Sequence, residues 1–151
     1  MKKRKFRKAV FAVVYSVDAF GKIEYAILKR KKHWKGWEFT KGKIEKFETK
    51  KHAAKRETME ETGLKVLSMK KFGEKGKYFY EKTLKDRPGI VGQTYKLFAV
   101  KVDKADGKII PDPKEHTKGI WASFNEAYKL LTWPDQKNCL RMVNDWLNNK
   151  Q

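Results

Sequence analysis

The sequence predicts an α/β fold with a mixed β-sheet and helices packed against it. Three observations lead to this prediction. Short segments rich in β-branched and aromatic residues alternate with turns that contain Gly, Pro or Asp. A run without Pro or Gly lies between them, and the C-terminal segment carries apolar residues at helical spacing. Because 151 residues suffice for one ordinary hydrophobic core and not for two, we expect residues 1–151 to form a single domain.

The N-terminal part predicts a β-hairpin. The segments AVFAVVYSV (9–17) and KIEYAILKR (22–30) flank a turn from Asp18 to Gly21. Basic residues precede the first segment, but its short apolar run has no small-residue cleavage site, which favours a mature strand over a secretory signal. The basic residues 1–8 are expected to fray. A loop rich in Lys, Trp and Gly is then expected to run to Glu48.

The remaining elements are predicted in the order helix, strands, helices. Residues 48–62 lack Pro and Gly, which predicts a helix that ends at Gly63. Strands are predicted at KVLSMKKF (65–72), KYFYEKT (77–83), QTYKLFAVKV (93–102) and GIWA (119–122). FNEAYKLL (124–131) predicts a short helix, and a last helix follows Pro134. The apolar stripe of this last helix is expected to be core: Cys139, Leu140, Met142, Val143, Trp146 and Leu147.

The chain is strongly basic, with a formal charge of +19 carried by 31 lysines and 6 arginines. Two interpretations stay open: a lysine-rich surface that serves solubility, and a surface selected to bind polyanions. The single cysteine, Cys139, cannot form an internal disulfide, so we expect a reducing, cytoplasmic location. No stretch reaches the roughly 20 apolar residues of a membrane span, so no membrane association is expected.

Three glutamates of the predicted helix form a close acidic group. At about 100° per residue, Glu57, Glu60 and Glu61 project from one face of the helix. Like charges this close repel one another by a few tenths of a kcal/mol per pair in an isolated helix. Either a divalent cation with a preference for oxygen ligands offsets this repulsion, or the carboxylates form a solvated face paired with nearby lysines and Arg56. The residue types alone leave both interpretations open.

The spacing of these glutamates is more specific than their type. The residues concerned are Gly42, Glu48, Arg56, Glu57, Glu60, Glu61, Gly63 and Leu64. Their arrangement resembles the Nudix box, G-x5-E-x7-R-E-U-x-E-E-x-G-U, where U is an aliphatic residue, and all seven fixed polar and glycine positions are present. Thr58 departs from the pattern, because an aliphatic residue is usual there. That position packs rather than reacts, so the departure concerns local stability and not chemistry.

The resemblance implies a fold, a reaction and residue roles. Nudix domains are α/β/α sandwiches in which the box forms a loop, a helix and a loop beside a mixed sheet. They hydrolyse a nucleoside diphosphate linked to another group, with water attacking phosphorus and Mg²⁺ or Mn²⁺ bound by the box. By this resemblance Glu57 or a neighbour would orient or deprotonate the water, while Glu48 and Arg56 would hold the loop and helix together. The implied metal ligands are Glu57, Glu60, Glu61 and the Gly42 carbonyl.

Segments outside the box are similar to those of two substrate classes. HWKGWEFTKGKIE, which includes Lys41, is similar to the corresponding segment of dinucleoside tetraphosphate hydrolases and also to that of RNA 5′ pyrophosphohydrolases. The segment KEHTKGIWASFNEAYKLLTWPDQKNCLRMVNDWL is similar to the C-terminal part of the tetraphosphate hydrolases. This likeness implies that Glu115 is a further metal ligand, that Lys41 contacts phosphate, and that Tyr80 and Trp133 sandwich an adenine. Packing roles for Tyr80 and Trp133 stay open, and His116 is expected to be structural.

The expected function is metal-dependent hydrolysis of dinucleoside polyphosphates, with diadenosine tetraphosphate foremost. Two alternatives are enzymes of the same class: removal of pyrophosphate from triphosphorylated RNA 5′ ends, and clean-up of oxidised nucleoside triphosphates. A third alternative is a non-catalytic module that binds RNA or nucleotides. The intact glutamates argue against this module, because a retired site would be free to lose them. The sequence predicts no oligomeric state.

Overall fold

A computed structural model of the chain describes residues 5–104 and 107–149. The elements in chain order are β1 (Lys5–Val17), β2 (Ile23–Arg30), β3 (Gly36–Glu38), β4 (Thr40–Lys43), α1 (Lys50–Thr62), β5 (Val66–Phe79), β6 (Ile90–Val102), β7 (His116–Ala122), α2 (Phe124–Leu130) and α3 (Pro134–Asn148). The fraying expected of residues 1–4 falls outside the described residues.

The strands form one mixed sheet around β1. Along one edge β1 pairs in parallel with β6, and along the other edge it pairs antiparallel with β2 and β4. The main path through the sheet is β3-β2-β1-β6-β5, while β7 pairs with β2. Parallel and antiparallel pairs therefore occur in the same sheet, which confirms the predicted sheet type.

Helices cover both faces of this sheet. On one face α1 packs Ala53 and Ala54 against residues of β1 and β6 such as Phe98. On the other face α2 and α3 close a second core that includes Leu140 and Val143. The expected apolar stripe of α3 is confirmed as core, and the arrangement is the α/β/α sandwich that the resemblance implies. Within the described ranges, no helix combines the length and apolarity needed to cross a membrane.

The predicted N-terminal hairpin is confirmed. The run 9–17 is almost entirely buried within β1. Asp18 Oδ1 accepts hydrogen bonds from the backbone N–H groups of Phe20 and Lys22, and Gly21 adopts φ +83°. This glycine supplies the left-handed conformation that the tight turn requires.

Two expected irregular segments are strands. Residues 5–8 were expected to fray, but they extend β1 because they pair with residues 90–94 of β6. The expected loop before Glu48 contains β3 and β4, which add to β2 and β1 respectively. Strands of three and four residues are too short to show alternation, so composition alone suggests a loop.

The two strands predicted at 65–72 and 77–83 are one strand, β5. It continues through Gly73, at φ +68°, with a register shift against β6 between Lys71 and Lys75. Such a bulge lets the chain stay in the sheet where glycines suggest a turn. The strand ends at Phe79, so residues 80–83 are not part of it, and α1 begins at Lys50 rather than Glu48 because Thr49 caps it.

Candidate active site

The acidic helix α1 is held against the sheet by small side chains. Thr49 Oγ1 accepts a backbone N–H of the first turn at 3.1 Å, and Gly63, at φ +72°, ends the helix. Ala53, Ala54 and Thr58 are fully buried. The Thr58 hydroxyl donates to the Ala54 carbonyl at 2.7 Å. The one residue that departs from the family pattern therefore leaves no buried hydroxyl unpaired.

The glutamates of α1 have different surroundings. Glu61 is fully buried and only 12% of the Glu57 side chain is exposed, whereas 54% of the Glu60 side chain is exposed. Glu57 and Glu61 lie one helical turn apart and face the interior together. Glu60 lies toward solvent, where Arg56 Nη1 donates to it at 3.2 Å. The acidic face predicted from the sequence is thus divided into two buried carboxylates and one exposed carboxylate.

Arg56 links the loop before α1 to these carboxylates. Its Nε and Nη2 donate to the two oxygens of Glu48 at 2.8 and 3.0 Å. Nη2 also donates to the Lys43 carbonyl at 2.9 Å, and Nη1 donates to Glu57 at 2.7 Å. The hydrogen bonds from Arg56 lower the pKa of Glu48 to about 2. One guanidinium therefore joins β4, the loop and the helix in a two-pronged geometry that a lysine could not provide.

Gly42 allows β4 to approach α1 closely. It pairs with Val10 of β1, and a Cβ atom at this position would collide with the carboxylate of Glu57. The neighbouring backbone N–H of Lys41 lies 3.4 Å from Glu61 Oε2 and donates to it. The backbone at residues 41–42 therefore faces both buried carboxylates.

Burial makes these two carboxylates unfavourable to ionise. It raises the pKa of Glu57 to about 7 in spite of the opposing effect of Arg56. Burial, together with the carboxylates of Glu38, Glu57 and Glu115, raises the pKa of Glu61 well above its ordinary value. Glu61 Oε1 is buried and has no hydrogen-bond donor among the described residues. Among the described ion pairs Glu57 has Arg56 as a partner, whereas the Glu61 carboxylate has no cationic partner.

The donor set suits a hard divalent cation. Glu61, Glu115 and His116 each offer one ligand atom, and these atoms lie within 4.8 Å of one another. One Glu61 oxygen has no donor among the described residues, and the backbone of Gly42 lies directly against the Glu57 carboxylate. Carboxylate and carbonyl oxygens are the ligands that Mg²⁺ and Mn²⁺ prefer, so the carboxylates of Glu57, Glu61 and Glu115 fit the cation that the resemblance implies. The Nε2 atom of His116 is instead engaged with Glu38 at 2.7 Å.

A second buried group, the Glu38 cluster, consists of Glu38, Arg30, Lys41 and His116. Glu38 Oε2 lies 3.0 Å from Arg30 Nη1 and 2.7 Å from His116 Nε2, and Oε1 lies 3.3 Å from Lys41 Nζ. Burial alone would raise the pKa of Glu38, but Lys41, the His116 hydrogen bond and Arg30 lower it to about 2. His116 is hydrogen-bonded, as expected of a structural histidine. Glu115 Oε2 lies 3.9 Å from Arg30 Nη1, and a carboxylate oxygen of Glu115 lies within 4.8 Å of one of Glu61. The Glu38 cluster therefore adjoins the acidic group.

An open cleft of about 670 Å³ lies beside the Glu38 cluster. The three residues that the resemblance assigns to substrate, Lys41, Tyr80 and Trp133, all line it. Trp34 lies on the same wall as Trp133, edge to face, with ring centroids 5.2 Å apart. The cleft therefore offers several aromatic surfaces to a flat ligand.

Lys41 lies where the cleft meets the acidic group. Its ammonium contacts Glu38, donates to the Tyr78 hydroxyl at 3.3 Å and lies 5.7 Å from the centre of the Trp34 ring. Its backbone N–H donates to Glu61. The same residue thus contacts both parts of the site.

Several residues of the site are not singled out by sequence patterns. They are Arg30, Trp34, Glu38, Tyr78 and Arg87. The spacing of Tyr78 and Tyr80, two residues apart, could have placed both rings on one side of the chain. For Glu38 no sequence signal exists, because a single glutamate in a three-residue strand resembles an exposed edge residue.

Comparison with known proteins adds independent findings. A family model described as the NUDIX domain matches residues 5–143. An RNA pyrophosphohydrolase of a Nitratiruptor species is 36% identical over 137 residues, covering 89% of this chain and 83% of the relative. An RNA pyrophosphohydrolase of a Sulfurovum species is 29% identical, covering 96% of this chain and 95% of the relative.

A similar solved structure is that of a C. elegans Ap4A hydrolase in a binary complex. It aligns with a TM-score of 0.72 at 25% identity, covering 94% of this chain and 98% of the other. The family model, the sequence relatives and the solved structure thus agree over nearly the whole chain. The chain therefore belongs to the NUDIX family and is a NUDIX hydrolase.

Proposed function

We propose that this NUDIX hydrolase is a divalent-metal-dependent pyrophosphohydrolase that cleaves dinucleoside polyphosphates such as diadenosine tetraphosphate. The observation that carries the proposal is the position of Lys41, whose side chain lines the aromatic cleft while its backbone N–H donates to Glu61. A nucleoside held in the cleft would therefore direct its phosphates past Lys41 toward the buried carboxylates.

The acidic group supplies the reaction centre in this proposal. In this proposal Glu57, Glu61, Glu115 and the Gly42 carbonyl would hold the cation, and Glu60 would be a further ligand. A bound Mg²⁺ or Mn²⁺ supplies neutralisation of the polyphosphate charge and a lowered pKa of bound water. Glu57 orients or deprotonates the water, whose oxygen bonds to phosphorus as the bond to the leaving phosphate breaks. Glu48 and Arg56 keep the loop and the helix in place for this step.

The cleft supplies recognition of the base. Trp133 and Tyr80 offer their rings to adenine, and Trp34 supports Trp133 from the side. Stacking of a base on an aromatic ring contributes roughly 1–3 kcal/mol and depends little on which base is present. Binding in the cleft would therefore hold the nucleoside end of the substrate without selecting strongly among bases.

Removal of pyrophosphate from RNA 5′ ends is a second candidate function. The 36% identity to an RNA pyrophosphohydrolase over most of the chain favours it, and so does the charge of +19. Both substrates present a nucleoside 5′-polyphosphate to the same cleft. They differ in the RNA body, whose phosphates would make binding strongly dependent on salt.

A direct comparison of the two substrates tests the proposal. The purified protein with Mg²⁺ is given diadenosine tetraphosphate or a 5′-triphosphorylated RNA that begins with adenosine, and kcat/KM is measured for each over a range of salt concentrations. We expect the dinucleotide to be cleaved to mononucleotides with a weak dependence on salt. Cleavage of the RNA alone would replace the first candidate by the second. Binding of both without turnover would contradict any catalytic function.

A further inference from the structure

Glu38 is a fully buried carboxylate that joins four strands. It lies on β3 and contacts Arg30 from β2, Lys41 from β4 and His116 from β7. The side chains of these three partners are themselves at most 11% exposed. A buried carboxylate is unfavourable without such partners, and breaking a buried ion pair is more damaging than breaking a surface pair.

The position of this cluster connects the two parts of the site. Arg30 and Lys41 line the cleft, whereas His116 lies with Glu61 and Glu115 on the acidic side. A structural role alone could be filled by apolar side chains of similar volume, since buried ion pairs rarely add stability over such a core. An apolar core could not hold the charged side chains of Arg30 and Lys41 in a fixed geometry beside the polyphosphate of a bound substrate.

The partners of Glu38 depend on it to different degrees. Arg30 keeps other contacts, because its Nε donates to the Lys32 carbonyl at 2.8 Å and its Nη1 lies 3.9 Å from Glu115. Among the described ion pairs, Lys41 has Glu38 as its carboxylate partner, and its other polar contact is the neutral Tyr78 hydroxyl. Loss of the Glu38 charge therefore affects the placement of Lys41 more than that of Arg30.

We propose that Glu38 is a positioning residue that acts through Lys41. It fixes the ammonium at the point where a polyphosphate passes from the cleft to the acidic group. The inference rests on the proposed pyrophosphohydrolase function and assigns a role to a residue outside the family box. Glu38 itself does not contact the substrate in this scheme.

A double-mutant cycle tests the proposal with the full-length protein. The variants are Glu38→Gln, Lys41→Met and the two combined, and kcat and KM are measured for the nucleotide that the wild type cleaves. We expect Glu38→Gln to lower kcat/KM by about 10- to 100-fold, mostly through KM, because coupled neighbours share an interaction of this size. In the Lys41→Met background the same change should lower kcat/KM by less than about threefold, since its effect has already been lost.

A matched control separates placement from general stability. Tyr25→Phe removes a partly buried hydrogen bond of 2.7 Å, which the Tyr25 hydroxyl donates to Asn144 on the α3 side of the sheet, away from the acidic group. This variant should lose stability while kcat/KM stays within about twofold of the wild type. Glu38→Asp keeps the charge on a shorter side chain and should retain more activity than Glu38→Gln at equal stability. If Glu38→Gln does not fold, Glu38→Asp takes its place in the double-mutant cycle, because the shorter side chain also changes where the charge lies relative to Lys41.

The outcomes distinguish this inference from the proposed function. A folded wild type that cleaves no nucleoside polyphosphate with Mg²⁺ or Mn²⁺ overturns both. An active wild type whose Glu38→Gln variant keeps kcat/KM within twofold overturns the positioning role alone. Equal losses from Glu38→Gln in the presence and absence of Lys41 overturn it as well, because Glu38 would then act independently of Lys41.

Discussion

Replacing Glu57 by glutamine should stabilise the metal-free protein at alkaline pH. Glu57 is largely buried beside Glu61, and burial raises its pKa from 4.5 to about 7. The unfolded chain ionises this group near its ordinary pKa, whereas the folded chain resists ionisation until the pH approaches 7. Glutamine has nearly the same shape and carries no charge, so it mimics the protonated side chain that the metal-free fold prefers.

The magnitude follows from the pKa of Glu57. One pKa unit corresponds to about 1.4 kcal/mol, so ionised Glu57 lowers the free energy of unfolding by about 3 kcal/mol at pH 8. The sign follows from the raised pKa: the folded state is favoured below pH 4.5, and this advantage is lost as the pH rises through 7. The free energy of unfolding of the glutamine variant should therefore exceed that of the wild type by up to about 3 kcal/mol at pH 8. Near pH 4.5 the two proteins should have similar free energies of unfolding. In a domain of this size the difference at pH 8 corresponds to roughly 10 °C in Tm.

Urea denaturation in EDTA at several pH values measures this effect. Glu60→Gln serves as the control, because 54% of its side chain is exposed and its replacement should change stability by less than about 0.5 kcal/mol at any pH. Addition of Mg²⁺ should stabilise the wild type and should stabilise the Glu57→Gln variant much less. A Glu57→Gln variant that is no more stable than the wild type at pH 8, or whose advantage is the same at low and high pH, would refute this account of the acidic group.

Three further predictions concern the cleft, the helix and the loop. Trp133→Ala should raise KM for the cleaved nucleotide about tenfold or more with little change in kcat, because base stacking is lost; steady-state kinetics with an unchanged KM would contradict this. Thr58→Val should leave kcat unchanged and alter the free energy of unfolding by less than about 1.5 kcal/mol, since it exchanges the hydrogen bond to the Ala54 carbonyl for the aliphatic side chain usual there; a larger loss in urea denaturation would show that this bond is essential. Arg56→Lys should lower kcat at least about tenfold and lower Tm, because lysine cannot donate to both oxygens of Glu48; wild-type kinetics in this variant would contradict the role of that pair.

Sequence patterns predict the elements that are long and regular. The hairpin of β1 and β2 is indicated by two β-branched and aromatic runs around a turn, and the acidic helix by a long run without Pro or Gly. The apolar stripe of α3 recurs at helical spacing. The strands β3 and β4 are too short to show such patterns, and their pairing is decided by β1 and β2 rather than by local preference. The continuity of β5 through Gly73 also depends on pairing with β6, which compensates for a residue that favours a turn on its own.

The acidic group shows where prediction from spacing ends. Helical geometry places Glu57, Glu60 and Glu61 on one face of α1. The burial of Glu57 and Glu61, however, depends on how closely β4 approaches α1 at Gly42. That approach is a property of the assembled sheet. The convergence of Lys41, Tyr80 and Trp133 on one cleft has the same origin, because these residues are distant in the chain and only the family resemblance links them before folding.

Hydrolysis in ¹⁸O-labelled water tests the central claim most directly. Wild-type protein, diadenosine tetraphosphate and Mg²⁺ are combined in labelled water, and the product masses are measured by mass spectrometry beside a Glu57→Gln sample. The account predicts two mononucleotides, one of which carries a single ¹⁸O on a terminal phosphate, and turnover that falls by orders of magnitude in the variant. Intact substrate with folded wild type, or equal turnover by the variant, would contradict it.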